Sequence, residues 1–149
     1  ANYPKIKTNF FGYLGNQPVW GNEFERELNK SPISLNLSRK PYLKFYSSDR
    51  ISQYLGNGSC IFIDVNSKLD ELFTNEEAIF FDSNDISSLG KKLEKTLENI
   101  NTVKLIAKKG WERGHKYYNE RVITNYFLDI AFNGKAIKNY NWPLHTYKK

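Results

Sequence analysis

Ile61-Phe62-Ile63 is the stretch that most limits how this chain folds. Three consecutive β-formers without polar alternation do not suit a sheet with one wet face. Such a run reads as a strand covered on both sides, as in a parallel sheet between helical layers. Ala78 to Phe81 repeats the pattern, and Ile33-Ser34-Leu35-Asn36-Leu37 follows Ser31-Pro32 as a further strand. Ile6 to Phe11 is β-prone and closed by Gly12. The expectation is one α/β domain, Rossmann-like and layered, with a mainly parallel sheet of about four strands.

The helices follow from spacing. Gly21-Asn22 opens a polar helix running to Asn29, with acids in its first turn where the helix dipole favours them. Asp49 to Leu55 is a short helix, with Ser48 as N-cap and Gly56 as stop. Lys68 to Phe73 reads as a helical turn. Ile86, Leu89, Leu93, Leu97 and Ile100 recur at spacings of three and four, which predicts an amphipathic helix over Asp85 to Asn99. Leu89, Leu93 and Leu97 should be buried, with Lys91, Lys92, Lys95 and Lys108 in solvent. A second helix after Asn101 carries Val103, Ile106, Ala107, Trp111 and Tyr118 on its apolar face, weakened by Gly110 and Gly114. Arg121 to Phe132 is a third. Residues 1–132 form the domain, and 133–149 read as an irregular tail.

Composition narrows the chemistry. With 149 residues, 40% hydrophobic and 26% charged, the chain supports one core. No apolar run approaches the roughly 20 residues of a membrane span, and the start has no apolar signal segment. One cysteine, Cys60, and two histidines, His115 and His145, argue against a disulfide, a metal centre or a bound cofactor. Cytoplasmic placement is expected. The lack of any methionine is what a fragment of a longer protein would show. Charge is uneven: residues 1–90 hold nine Lys/Arg against eleven Asp/Glu, a net of −2, and residues 91–149 hold thirteen against five, a net of +8. Those basic C-terminal helices are a solvated face, or a surface for nucleic acid, anionic lipid or a phosphorylated ligand. Nucleic acid is not expected, because the aromatics sit within apolar runs rather than in a stacking motif.

Ligands in parallel α/β sheets sit beyond the carboxyl ends of the strands. That rule points to Gly12–Gly21, Ser38–Ser48 and Asp64–Ser67. The second loop, from Ser38-Arg39-Lys40 to Ser47-Ser48-Asp49-Arg50, is basic and runs into a helix N-terminus. Free amides and the helix dipole there suit an anion, and Arg39 or Arg50 suits a phosphate. It is not a P-loop. The same residues also read as a plain N-cap followed by surface charges. Neither Asp70-Glu71 nor Glu76-Glu77 makes a catalytic pair, and Cys60 reads as inert core.

Four stretches in order resemble one family. Gly21-Asn22-Glu23-Phe24-Glu25 through Ser31-Pro32-Ile33-Ser34-Leu35-Asn36-Leu37-Ser38-Arg39 is similar to a helix and strand of GT-B glycosyltransferases. Ser48 through Ile63 resembles a segment of the CgeB-like, family 1-type branch. Asn75-Glu76-Glu77-Ala78-Ile79-Phe80-Phe81 with Asp85-Ile86, and Leu105-Ile106-Ala107-Lys108-Lys109-Gly110, match later ones. The similarity spans about residues 6–130.

The resemblance implies the C-terminal, donor-binding half of a glycosyltransferase, inactive alone. A nucleotide-diphosphate sugar would place its diphosphate at Ser47, Ser48, Asp49 and Arg50, with Arg39 beside it. The family's ribose-binding glutamate corresponds to Gln53, a departure, with Asp49 as the carboxylate to compensate. The base would lie against the Gly12–Trp20 loop, at Gly12 and Tyr13. The acceptor, of unknown identity, would belong to an N-terminal domain missing from this chain. The alternative is a non-catalytic α/β interaction module with a degenerate nucleotide pocket.

Overall fold

The computed structural model describes Tyr3 and residues 6–37 and 43–144. Helix α1 (Gly21–Asn29) leads into strand β1 (Ile33–Asn36), then helix α2 (Asp49–Gly56) and strand β2 (Cys60–Asp64). Two 3-10 turns, Val65–Ser67 and Leu69–Glu71, precede strand β3 (Ile79–Phe81). Helices α3 (Ile86–Leu97), α4 (Ile100–Tyr117) and α5 (Glu120–Asn133) complete the order. The strands are parallel in the order β1-β2-β3, with Leu35 opposite Phe62 and Ile63 opposite Phe80. The fold is α/β, layered and Rossmann-like, as the apolar runs predict.

Every residue of β2 is buried, and its alternation divides the core between two layers. Ile61 and Ile63 pack with Ile51 and Leu55 of α2 and with Leu69 and Phe73. On the other face, Cys60 meets Val103 and Ala107 of α4, and Phe62 meets Leu89 of α3. Helix α4 serves both layers, since its C-terminal half packs against Leu55. A Cβ on Gly110 would lie 2.5 Å from the Glu77 carbonyl oxygen, and one on Gly114 would lie 3.7 Å from Leu55 Cβ. Gly110 therefore lets α4 pack closely, rather than only weakening it as a helix, whereas a methyl at Gly114 would make ordinary contact. Because Gly110 takes the inward position, Trp111 is turned out and exposed, against expectation.

Other expectations need correction. The sheet has three strands among the described residues, not four. Ile6 to Phe11 forms no strand and joins neither open edge of the sheet, on β1 and on β3; Phe10 and Phe11 are exposed. Leu89 is buried, but Leu93 and Leu97 are half-buried, as α3 meets the small sheet near its first half only. Lys92 is exposed as expected, and its Nζ also donates to the Phe80 carbonyl at 2.6 Å, satisfying a group on the outer strand β3. Helix α4 starts two residues earlier than predicted, where Asn99 caps it by accepting from the Thr102 amide at 3.1 Å.

Residues 134–144 carry no helix or strand, yet they are held. Asp129 of α5 accepts from the Ile137 amide at 3.0 Å, the Lys138 amide at 3.3 Å and the Tyr140 hydroxyl at 2.7 Å. Tyr126 stands edge-on to both Tyr140 and Trp142, 5.1 and 5.4 Å between ring centres.

Candidate functional site

The carboxyl ends of the three strands bring polar side chains together. Asn36 ends β1 and Asp64 ends β2, and both are buried. One Asp64 carboxylate oxygen accepts from the Asn66 backbone amide at 3.0 Å and from its Nδ2 at 2.8 Å. The same Nδ2 also donates to Asp82, just beyond β3, at 3.0 Å. Asp82 accepts further from the Asn84 amide and Nδ2, both at 2.9 Å. Its carboxyl is held below the usual carboxylate range, first by the Asn84 backbone amide and then by the Asn66 side chain. Asn66 is thus a bridge that fixes two strand ends relative to each other.

Residues 43–48 lead into α2 beside the loop after β2. The Phe45 amide donates to the Ser67 carbonyl at 2.7 Å, joining the two. Ser48 stands at the N-cap position of α2 but makes no capping bond; its hydroxyl turns toward Asn36 Oδ1 at 3.4 Å. Asp49 supplies the terminus instead, its Oδ1 accepting the Arg50 amide at 3.0 Å. The Arg50 guanidinium donates through Nη2 to the Leu37 carbonyl at 2.8 Å, which fastens the first turn of α2 to the end of β1. Gln53 is exposed. Ile51 and Leu55, four apart, face the core, so Gln53, two residues from each, points away from it.

Ser48, Asp49, Arg50 and Gln53 therefore share the first two turns of α2. Arg39 lies outside the described residues. Gly12 and Tyr13 sit in a separate turn closed by the Gly12 amide on the Gln17 carbonyl and the Asn16 amide on the Tyr13 carbonyl. No hydrogen bond among the described residues joins that turn to α2.

Ser47 differs from its neighbours, because it lines a cavity of about 390 Å³ on the core-facing side of α2. Phe45, Ile51, Leu55, Phe73 and Ile123 form apolar walls, and His115 and Glu120 lie at the α4–α5 corner. His115 is exposed there and contacts the Trp111 carbonyl through Nδ1 at 3.0 Å. Cys60 is fully buried, and burial pushes its thiol up to about 11, consistent with inert core.

The sequence marked Asp64–Ser67 as a loop of interest but missed Asp82 and Asn84. The available signal was positional: each apolar run ends in a polar residue, Asn36, Asp64 and Asp82, at the edge where parallel sheets bind. Among the described residues no group of three His, Cys, Asp or Glu is placed to hold a metal ion, and no helix is long and apolar enough to cross a membrane.

No curated protein matches the chain. The family model described as glycosyl transferase-like matches residues 1–129. That match takes in the sheet, the polar strand ends and the α2 terminus together, and this chain belongs to the glycosyl transferase-like family.

Proposed function

We propose that the chain is the donor-binding half of a two-domain GT-B glycosyltransferase of the CgeB-like branch. Its ligand is a nucleotide-diphosphate sugar, and the acceptor is bound by a further domain outside this chain. Residues 1–132 form the donor-binding unit. The observation that supports this best is the fastening of Arg50 to the Leu37 carbonyl, which leaves a guanidinium fixed beside the first turn of α2. A cation held in place before the ligand arrives costs little further ordering when a diphosphate binds. When the glycosidic bond breaks, charge accumulates on the leaving diphosphate, and a preorganised cation stabilises it electrostatically.

Asp49 occupies the α2 terminus through the Arg50 amide in the free chain. On binding, its carboxylate turns out and yields that amide to a phosphate oxygen. Gln53, exposed one turn on, reaches the ribose hydroxyls, and the Gly12–Tyr13 turn meets the base. Sugar transfer requires the missing half, so the chain alone binds without turnover.

Asp49 also favours the second reading, a non-catalytic interaction module, since its carboxylate stands where a phosphate would sit. Titration with a panel of nucleoside diphosphates, followed by backbone NMR shifts, separates the two. The donor reading expects Ser48, Asp49, Arg50 and Gln53 to move together, and Gln53→Glu to tighten binding through the ribose. If saturating diphosphates leave those amides unmoved, the interaction module replaces it.

A further inference from the structure

Helix α4 carries five Lys/Arg against one acid, a net of +4. Lys109 is taken by Glu76 at 2.9 Å, and Arg113 reaches the Leu72 carbonyl at 2.7 Å and faces Glu77 at 3.8 Å. Lys104, Lys108, Trp111 and His115 fall at intervals of four, three and four, so they share a different side of the helix. Both lysines are exposed, and Lys108 has only a loose partner in Glu112 at 3.8 Å. Trp111 is 41% exposed and stacks on His115, 4.2 Å between ring centres.

The stripe continues onto α5. His115 and Ile123 line the same cavity mouth, together with Glu120. Ile123, Phe127 and Ile130 then recur at four and three along α5, and Phe127 is 65% exposed. Helix α5 buries none of its residues; Tyr126 and Asp129 hold residues 134–144, and Ile123 reaches the cavity wall. One surface thus combines two lysines, an outward tryptophan and a row of uncovered aliphatic and aromatic side chains. A nucleic-acid surface would not need the aliphatic row, and a solvated face would not expose it. Apolar residues flanked by lysines are the composition of a helix lying in a membrane interface, and the positive charge complements anionic headgroups.

We propose that the α4–α5 corner docks on the surface of an anionic bilayer, with Trp111, Ile123 and Phe127 entering the headgroup region and Lys104 and Lys108 meeting lipid phosphates. This proposal does not depend on donor binding. Co-sedimentation of the full chain with vesicles of phosphatidylcholine alone, and of phosphatidylcholine with phosphatidylglycerol, tests it. The chain should pellet with the anionic vesicles only, and less so as salt rises. The double substitution Lys104→Glu/Lys108→Glu should weaken binding roughly tenfold or more. Phe127→Ser should weaken it independently of salt. All three substituted positions are exposed, so circular dichroism of each variant should match the parent. A chain that stays in the supernatant with phosphatidylglycerol vesicles, or pellets equally with neutral ones, overturns the proposal. So does Phe127→Ser dissociating a dimer with vesicle binding unchanged, which would make this face a contact between copies.

Discussion

The Arg50 guanidinium and the Leu37 carbonyl meet at 2.8 Å, across the loop that leaves β1 and returns at α2. This contact makes the α2 terminus part of the sheet edge. It also holds a permanent positive charge where the proposed diphosphate would lie.

Arg50→Ala should weaken nucleoside diphosphate binding by about 1.5–3 kcal/mol, the range of a charge-assisted hydrogen bond. Isothermal titration calorimetry measures it directly. An unchanged affinity would remove Arg50 from the donor site.

The two glycines of α4 should respond in opposite directions. Gly110→Ala forces a methyl to 2.5 Å from the Glu77 carbonyl oxygen and 3.1 Å from Leu55 Cδ2. Overpacking of this kind costs about 1–3 kcal/mol. Gly114→Ala meets Leu55 at ordinary contact distance and should stabilise by about 0.5–1 kcal/mol through helix entropy. Urea denaturation of both variants checks the pair.

On α3, Leu89→Ala should cost about 2–5 kcal/mol, since Leu89 is buried against Phe62 and Phe81. The half-buried Leu93 should lose nearer 1 kcal/mol on the same truncation. Equal losses in a denaturation series would mean that both leucines are core.

The anchor of residues 134–144 should be pH-dependent at both ends of the scale. The Tyr140 hydroxyl, and then the Ile137 and Lys138 amides, hold Asp129 below the usual carboxylate range. A depressed pKa stabilises the fold fully above the ordinary value of about 4, and the contribution is lost as pH falls through the folded pKa. Burial, with Asp129 nearby, pushes the Tyr140 hydroxyl up to about 12. Its contribution is present below about pH 10 and is lost as pH rises through the folded value. Near-UV circular dichroism of Trp142 against pH should show both losses, and Tyr140→Phe should flatten them.

Cys60 should be unreactive toward a thiol reagent such as DTNB in the folded chain, being fully buried with its thiol pushed up to about 11. Labelling should appear only with denaturant. Stoichiometric labelling of the native protein would show that β2 opens.

What the sequence determined by itself is the part of the protein governed by local pattern. Ile61-Phe62-Ile63 cannot be half-wet, so a strand with two covered faces follows. Leucines spaced by three and four make α3, and Ser48-Asp49 marks where α2 begins. Tertiary structure decided the rest, because it depends on what stands opposite. Ile6–Phe11 has strand-like residues, yet it pairs with neither open edge of the sheet and remains irregular. Gly110 reads as a helix weakness along the chain, yet it is where α4 passes the Glu77 carbonyl. Trp111 fits the apolar spacing of α4, but a glycine takes its inward place and turns it to the surface. Local pattern also cannot show that Asn66 bridges Asp64 and Asp82, or that Arg50 spends its guanidinium on Leu37. Asp82 lies 16 residues from Asn66 and Leu37 lies 13 from Arg50, and the parallel crossovers of the sheet bring them to one edge.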